Sequence, residues 1–237
     1  MRTKYLLLML VPLLVILPAS ASAVTLVKVE IINTSAPSYE SFAVLDPKNG
    51  NWIRMTGGND VQIPSTDFVY NGINSTQYTR GSRIINITTY GISDNQDYTV
   101  NYPFATHSVY YSSDTVTAEI FGESGLAGKR AYVYLVKMYP TQLKDALASA
   151  VDGDTQPLRD LLSNAEQNIT VTLNATGDNG PVSLGQLSPG DYVVVALLNA
   201  SSEQNITLIS VTAFEVLEHT STLSVSTSVT RSSVDET

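Results

Sequence analysis

The run Leu187-Ser188-Pro189-Gly190-Asp191-Tyr192-Val193-Val194-Val195-Ala196-Leu197-Leu198 limits the fold more than any other stretch of the 237-residue chain. Pro presets φ and Gly supplies positive φ, so Pro189-Gly190-Asp191 reads as a turn. The apolar residues after Tyr192 do not alternate with polar ones, and Asn199 ends them well short of the roughly 20 that a spanning helix needs. They predict a strand buried on both faces, in the middle of a layered core. Gly128-Lys129-Arg130-Ala131-Tyr132-Val133-Tyr134-Leu135-Val136 reads as a partner strand.

Short β-type segments fill most of the rest. Thr25 to Ile31 alternates, with Val27, Val29 and Ile31 on one face. Phe42 to Leu45 and Trp52 to Met55 flank a turn over Asp46 to Asn51, and Val61 to Ile63, Phe68 to Tyr70, Ile84 to Thr88 and Tyr98 to Tyr102 continue the pattern. Pro103 marks a boundary, after which a second series starts at Val109. In that series Val116, Ala118 and Ile120 alternate with polar residues, and Ala131 to Met138 follows a turn. Helical spacing occurs only in Leu143, Ala146, Leu147, Ala150 and Val151, and again in Leu158, Leu161, Leu162 and Ala165. Gly153 is placed to stop the first helix and Thr155 to cap the second.

The expected fold is therefore mainly β, with two β-sandwich modules over residues 24–105 and 106–220. The second would be Ig-like, with an α-helical hairpin inserted at 141–166 to cover a sheet edge or one end of the sandwich. Residues 221–237 form a Ser/Thr-rich tail with little to bury, which reads as disordered and open to O-glycosylation.

The first 23 residues read as a secretory signal peptide. Arg2 and Lys4 give the basic region, Tyr5 to Leu17 the apolar region, and Ala21-Ser22-Ala23 a small-residue cleavage site, so the mature chain is expected to begin near Val24. No cysteine is present, which excludes disulfides, thiolate metal sites and a lipid-modified cysteine. The formal charge of −9 becomes more acidic once Arg2 and Lys4 are removed, and it argues against nucleic acid as a partner. Sequons of the form N-x-[ST] stand at Asn33, Asn74, Asn86, Asn168, Asn174, Asn199 and Asn205. Chance would supply about three in a chain this rich in Ser and Thr. Alternation in Asn168 to Asn174 turns Ile169, Val171 and Leu173 inward and both asparagines outward.

Reactive chemistry finds little support. Gly122-Glu123-Ser124-Gly125 lacks the spacing of a nucleophile elbow and reads as a turn. A Ser-His-Asp site would need His107, in the proposed linker, or His219, at the start of the tail. Glu215 and Glu218 point to opposite strand faces, against a metal site with His219. Asp152, Asp154 and Asp160 are a weak calcium candidate, since they miss the spacing of an EF-hand loop and suit helix capping. No cofactor is expected. Trp52, Tyr70, Tyr78, Tyr102, Tyr110 and Tyr111 are the candidates for a sugar-binding platform. Lys28 and Glu30, on the outward face of the first strand, suit charges that deter edge pairing.

Two resemblances rest on particular residues. Asp178-Asn179-Gly180-Pro181-Val182-Ser183-Leu184, followed by Leu187-Ser188-Pro189-Gly190-Asp191-Tyr192-Val193, resembles a signature of Ig-like and prealbumin-like extracellular modules. It implies a fold and no activity. Tyr132 to Val136 with Tyr139 to Leu147, Gly153 to Leu162 and Thr212 to Glu218 is similar to a domain of extracellular proteins of methanogenic archaea, over roughly 106–221. That resemblance implies a surface protein and brings no catalytic residues. No apolar anchor follows the Ser/Thr tail, unlike in longer members of that family. The expectation is a non-enzymatic, N-glycosylated protein, secreted and cell-surface associated, with a structural or adhesive role in the envelope or matrix. Its partners would be envelope components, other surface proteins or glycans, and the mature chain would have no membrane span. A carbohydrate-binding module is the alternative, and a secreted hydrolase ranks third.

Overall fold

A computed structural model of the chain describes residues 23–36, 38–62, 67–71, 75–90, 97–101 and 106–218. The strands are β1 (Thr25–Asn33), β2 (Ser38–Leu45), β3 (Trp52–Thr56), β4 (Asn59–Gln62), β5 (Asp67–Asn71), β6 (Ser75–Arg80), β7 (Arg83–Thr89), β8 (Asp97–Asn101), β9 (Thr106–Tyr111), β10 (Val116–Phe121) and β11 (Arg130–Lys137). The helices α1 (Pro140–Val151) and α2 (Gln156–Ser163) follow, then β12 (Gln167–Thr172), β13 (Asn179–Gly185), β14 (Gly190–Leu197) and β15 (Asn205–Leu217).

Ten strands form one mixed sheet in the order β12-β11-β14-β15-β2-β1-β7-β6, with β9 also paired to β15 and β4 to β9. β13, β10 and β3 make a second sheet, and β5 pairs with β8. β15 joins the halves of the large sheet. One edge runs antiparallel to β14. The other pairs in parallel first with β2, over 205–208, and then with β9, over 214–217. A strand of ordinary length, about 5–6 residues, could not serve both neighbours; β15 has 13. Its register slips opposite Ala196 and Leu197, as a bulge does. Ile206 and Leu208 therefore share a core with Val211 and Ala213, while Ile209 turns to the opposite core with Phe214 and Val216.

The mainly β expectation holds. Strands assigned to the two expected modules pair with one another: β2 with β15, β3 with β10, and β4 with β9. Sheet membership therefore crosses the expected boundary at 105/106. Alternation reports which face of a strand is buried, not which distant strand lies beside it. The same topology corrects the reading of Lys28 and Glu30 as edge charges, because β1 is paired on both sides.

Two cores lie on opposite faces of the large sheet. On one face, Val193, Val195 and Leu197 of β14 pack with Val29 and Ile31 of β1, Phe42 of β2, Ile85 and Ile87 of β7, and the buried stripe of α1 and α2. On the other, Tyr192, Val194 and Ala196 pack with Val133 and Leu135 of β11 and with Val116, Ala118, Ile120, Val182 and Leu184 of the second sheet. Residues 192–197 are all fully buried, as the unbroken apolar run requires. The helical hairpin covers a face of the large sheet, where an edge or one end was expected, because its apolar stripe joins the core of Val193, Val195 and Leu197 rather than unpaired backbone. At the start of β14, the Tyr192 hydroxyl donates back to the Ser188 carbonyl at 2.8 Å and braces the turn that leads into the strand. The Tyr192 ring stacks on Phe214, with centroids 5.3 Å apart, and Tyr110 meets Phe214 edge-on.

The helix ends show how polar groups lock the layers. Pro140 opens α1, and the Tyr139 N–H donates to Gln142 Oε1 at 3.1 Å. Gly153 follows α1 with φ of +83°, and a Cβ there would lie 2.7 Å from Ile85, so both conformation and space require glycine. Thr155 precedes α2 as expected, but its hydroxyl makes no cap. It donates to Glu40 Oε2 at 3.1 Å, and Asp154 Oδ1 takes the Gln156 N–H. Arg159 of α2 donates from Nη1 to the Ser201 and Glu203 carbonyls, both at 2.5 Å, and from Nη2 to the Gln204 carbonyl at 3.3 Å. One guanidinium thus ties the helix layer to the turn that feeds β15.

Arg159→Lys keeps the charge but cannot reproduce the fork, so it is expected to destabilise the protein by about 1–3 kcal/mol. Leu135→Ala, which opens the second core, is expected to cost about 2–5 kcal/mol. Urea unfolding followed by circular dichroism measures both.

Candidate functional site

In a strand, residues i and i+2 share a face, so a sequon's Asn and Thr project together. This holds for Asn86 with Thr88 on β7, Asn168 with Thr170 on β12, and Asn205 with Thr207 on β15. None of Asn33, Asn86, Asn168, Asn174, Asn199 and Asn205 is buried, and Asn74 lies outside the described residues. Asn168 is exposed as expected. Asn174 is exposed too, but in the turn after β12 rather than on the strand.

Their side-chain oxygens are held in a consistent way. Asn33 Oδ1 accepts from the Ser35 N–H, Asn174 Oδ1 from the Thr176 and Asp178 N–H groups, Asn86 Oδ1 from Gln77 Nε2, and Asn205 Oδ1 from the Ser41 hydroxyl. In each case the nitrogen, the atom that carries an N-linked glycan, is left pointing away from the partner. Asn199 differs, with its Nδ2 donating to Glu203 Oε2 at 3.4 Å.

Asn86 and Asn205 sit on the same side of the large sheet as Lys28, Glu30, Tyr39 and Ser41, by the register of β7, β1, β2 and β15. Lys28 Nζ donates to Glu30 Oε1 at 2.5 Å and the Tyr39 hydroxyl to the same oxygen at 2.7 Å. Hydrogen bonds from Lys28 and then Tyr39 hold the Glu30 carboxyl below its ordinary value. The same bond raises the Lys28 ammonium, and burial followed by the Glu30 bond raises the Tyr39 phenol. Ile32 and Tyr90 are exposed nearby in sequence and strand order.

A second feature is an open groove of about 580 Å³ lined by Lys129, Arg130, Tyr132, Thr172, Leu198 and Asn199. Lys129 and Arg130 are exposed and have no ion pair among the described residues. Two free cations beside a half-buried tyrosine can take a sugar ring that carries an acidic group. By periodicity Gly128 to Val136 reads only as a strand; the signal in the residues for this groove is two adjacent cations, Lys129 and Arg130, in an acidic chain.

Of the aromatic residues expected to form a platform, the described side chains of Trp52, Tyr78, Tyr110 and Tyr111 are dispersed. Trp52 is exposed on β3, stacked on Phe121 at 4.4 Å. Tyr78 belongs to β6 at the far edge of the large sheet, and its hydroxyl reaches the Asp152 carbonyl at 2.5 Å. Tyr110 is fully buried and donates to the Thr56 carbonyl, which corrects its place among surface aromatics. Tyr111 is half-buried; Tyr70 lies on β5, and Tyr102 lies outside the described residues.

Asp152, Asp154 and Asp160 serve the helix ends. Asp152 follows α1, Asp154 accepts from Gln156, and Asp160 accepts from Gln156 Nε2 at 2.7 Å. Among the described residues, no three His, Asp or Glu side chains gather as a metal site would require. Ser124 begins a short 3-10 turn, and Glu123 beside it is engaged by Val24 and Asn51. His107 is on β9; His219 lies outside the described residues. Glu215 is on β15, and Glu218 follows it. No helix among the described residues is long and apolar enough to cross a membrane. No protein-family model, curated protein or solved structure matches the chain.

Glu30, with its carboxyl depressed, adds stability above its ordinary value of 4.5 that is lost as pH falls through the folded value. Both partners are about a third exposed, so solvent screening limits the effect to roughly 1 kcal/mol or less. Glu30→Gln is expected to lower stability near pH 7 by up to that amount and to match wild type at the acid end, so that its stability falls less steeply below pH 4.5, as read from urea midpoints across the acid range.

Proposed function

We propose that the protein is a secreted, N-glycosylated component of a cell envelope or extracellular matrix, with a structural or adhesive role and no catalytic centre. The observation that carries this reading is the sequon geometry. The six described sequon asparagines are all unburied, and in Asn33, Asn86, Asn174 and Asn205 the oxygen is held while the nitrogen is presented. The signal-like first 23 residues support export, and the absence of cysteine is met by two apolar cores in place of disulfides. The resemblance read in residues 106–221, to a surface-protein domain of methanogenic archaea, agrees with this reading, as does the Tyr192 bond back to Ser188, a corner of the kind found in Ig-like sandwiches.

The groove beside Lys129 and Arg130 favours a second reading, a module that binds acidic carbohydrate. This differs from the Trp52-centred platform expected from sequence, since the described aromatics are dispersed.

Glycopeptide mass spectrometry on native protein is expected to find hexose-bearing peptides at Asn86, Asn168 and Asn205. Unmodified peptides at all three would remove glycosylation from the reading. On a glycan array, binding to uronic-acid or sulfated glycans that falls at least tenfold in Lys129→Ala/Arg130→Ala would favour the second reading.

A further inference from the structure

The chain enters the fold at Ala23, packed against the second core, and Val24, which is 44% exposed. The Val24 N–H donates to Glu123 Oε1 at 2.8 Å, and the Val24 carbonyl accepts from the Asp46 N–H at 3.0 Å. Glu123 is itself fixed. Its Oε1 also accepts from Asn51 Nδ2 at 3.0 Å, and its N–H donates to Asn51 Oδ1 at 3.2 Å. Asn51 is fully buried and donates again to the Asp46 carbonyl at 3.0 Å.

The loop carrying Glu123 has little room to shift. Gly122 N–H donates to Asp178 Oδ1, and a Cβ at Gly122 would lie 2.5 Å from the Gly177 carbonyl. A buried amide thus aims a carboxylate at one backbone nitrogen. A neutral peptide N–H is satisfied by any carbonyl; a carboxylate there suits a positive charge, since charge-assisted bonds are roughly twice as strong as neutral ones.

We propose that Val24 is the amino terminus of the mature protein and that Glu123, positioned by Asn51, is a preformed receptor for its ammonium group. The inference rests on the secretion reading. Hydrolysis of the Ala23–Val24 bond by a signal peptidase adds water across the amide. Ala23 leaves with a carboxylate, and the Val24 nitrogen becomes an amine that takes up a proton. The hydrogen bond at 2.8 Å then becomes an ion pair. Leader removal strengthens the start of β1 instead of leaving a frayed end. The other charged groups around this junction are Asp46, Lys48 and Asp178; Asp46 and Asp178 carboxylates already accept from the Lys48 and Gly122 N–H groups.

The test uses protein exported with its own leader. Intact mass and amino-terminal sequencing are expected to begin at Val24. Titration of the α-amino group by ¹⁵N NMR is expected to place its pKa above the usual range of about 7.7–8.0, by on the order of one unit, and to return it to that range in Glu123→Gln. Glutamine keeps an acceptor for Val24 and Asn51, so the variant retains the neutral contacts. A second measurement avoids the substitution altogether. Because the folded pKa is raised, the stabilisation is lost as pH rises through it, so unmodified protein should lose stability between about pH 8 and 9.5 while the terminally acetylated protein does not. A start at Met1 would remove both the secretion reading and this receptor. A start elsewhere after residue 17, or an α-amino pKa equal in wild type and Glu123→Gln with no difference on acetylation, would overturn the receptor alone.

Discussion

β14 and β15 are hydrogen-bonded along their length and covered by apolar layers on both sides, and the other layers are arranged around that fact. Val193, Val195 and Leu197 cannot face water, so the helical hairpin has to lie over them. Tyr192, Val194 and Ala196 face the other way and call for a second sheet. Burial of this kind is non-directional and scales with apolar area, at about 25 cal/mol per Å². It explains why layers form but not how they are aligned. Alignment comes from the bulge in β15, which shifts the alternation so that Ile206 and Leu208 share a core with Val211 and Ala213, in a strand long enough to pair with β2 and then β9.

Polar groups complete what apolar burial leaves unspecified. Arg159 gathers three carbonyls of the 201–204 turn, and Ser41 N–H adds a bond to the Gln204 carbonyl. Helix, turn and β2 therefore meet at one guanidinium. Asn51 does the same for the other end, joining Asp46, Glu123 and the entry at Val24. Each joins several partners at once, so its loss removes more than one ordinary hydrogen bond, and the part-buried oxygens at Ser201, Asp46 and Glu123 lose a donor. In a chain with no disulfides, Arg159 bridges 42 to 45 residues of sequence and Asn51 bridges 72 to reach Glu123.

The surface divides by chemistry. The side of the sheet bearing Asn86, Glu30, Ser41 and Asn205 is polar across neighbouring strands, and its charges are paired within the patch. The groove at Lys129 and Arg130 is the contrasting case, with cations left free for an external anion. The proposed glycan role would use the first face, and the acidic-carbohydrate reading would use the second.

Much of the local structure was legible in the residues. The doubly buried run after Tyr192, the alternation of Val116, Ala118 and Ile120, the two helices and the stop at Gly153 all follow from periodicity and backbone chemistry, which act over a few residues. The outward placement of Asn168 followed from the same parity. Pairing of β2 with β15 and of β3 with β10 was not legible, because a strand's pattern names its buried face and leaves its neighbour open. Nor was the burial of Tyr110, the dispersal of the aromatics, or the use of Thr155 to hold Glu40 in place of capping α2. Those depend on which surfaces meet after long-range closure. Sequence alone determined the elements, their buried faces and the polar chemistry available; tertiary structure alone decided which strands became neighbours and therefore which of those polar groups were joined, since that choice is made by contacts between residues far apart in the chain.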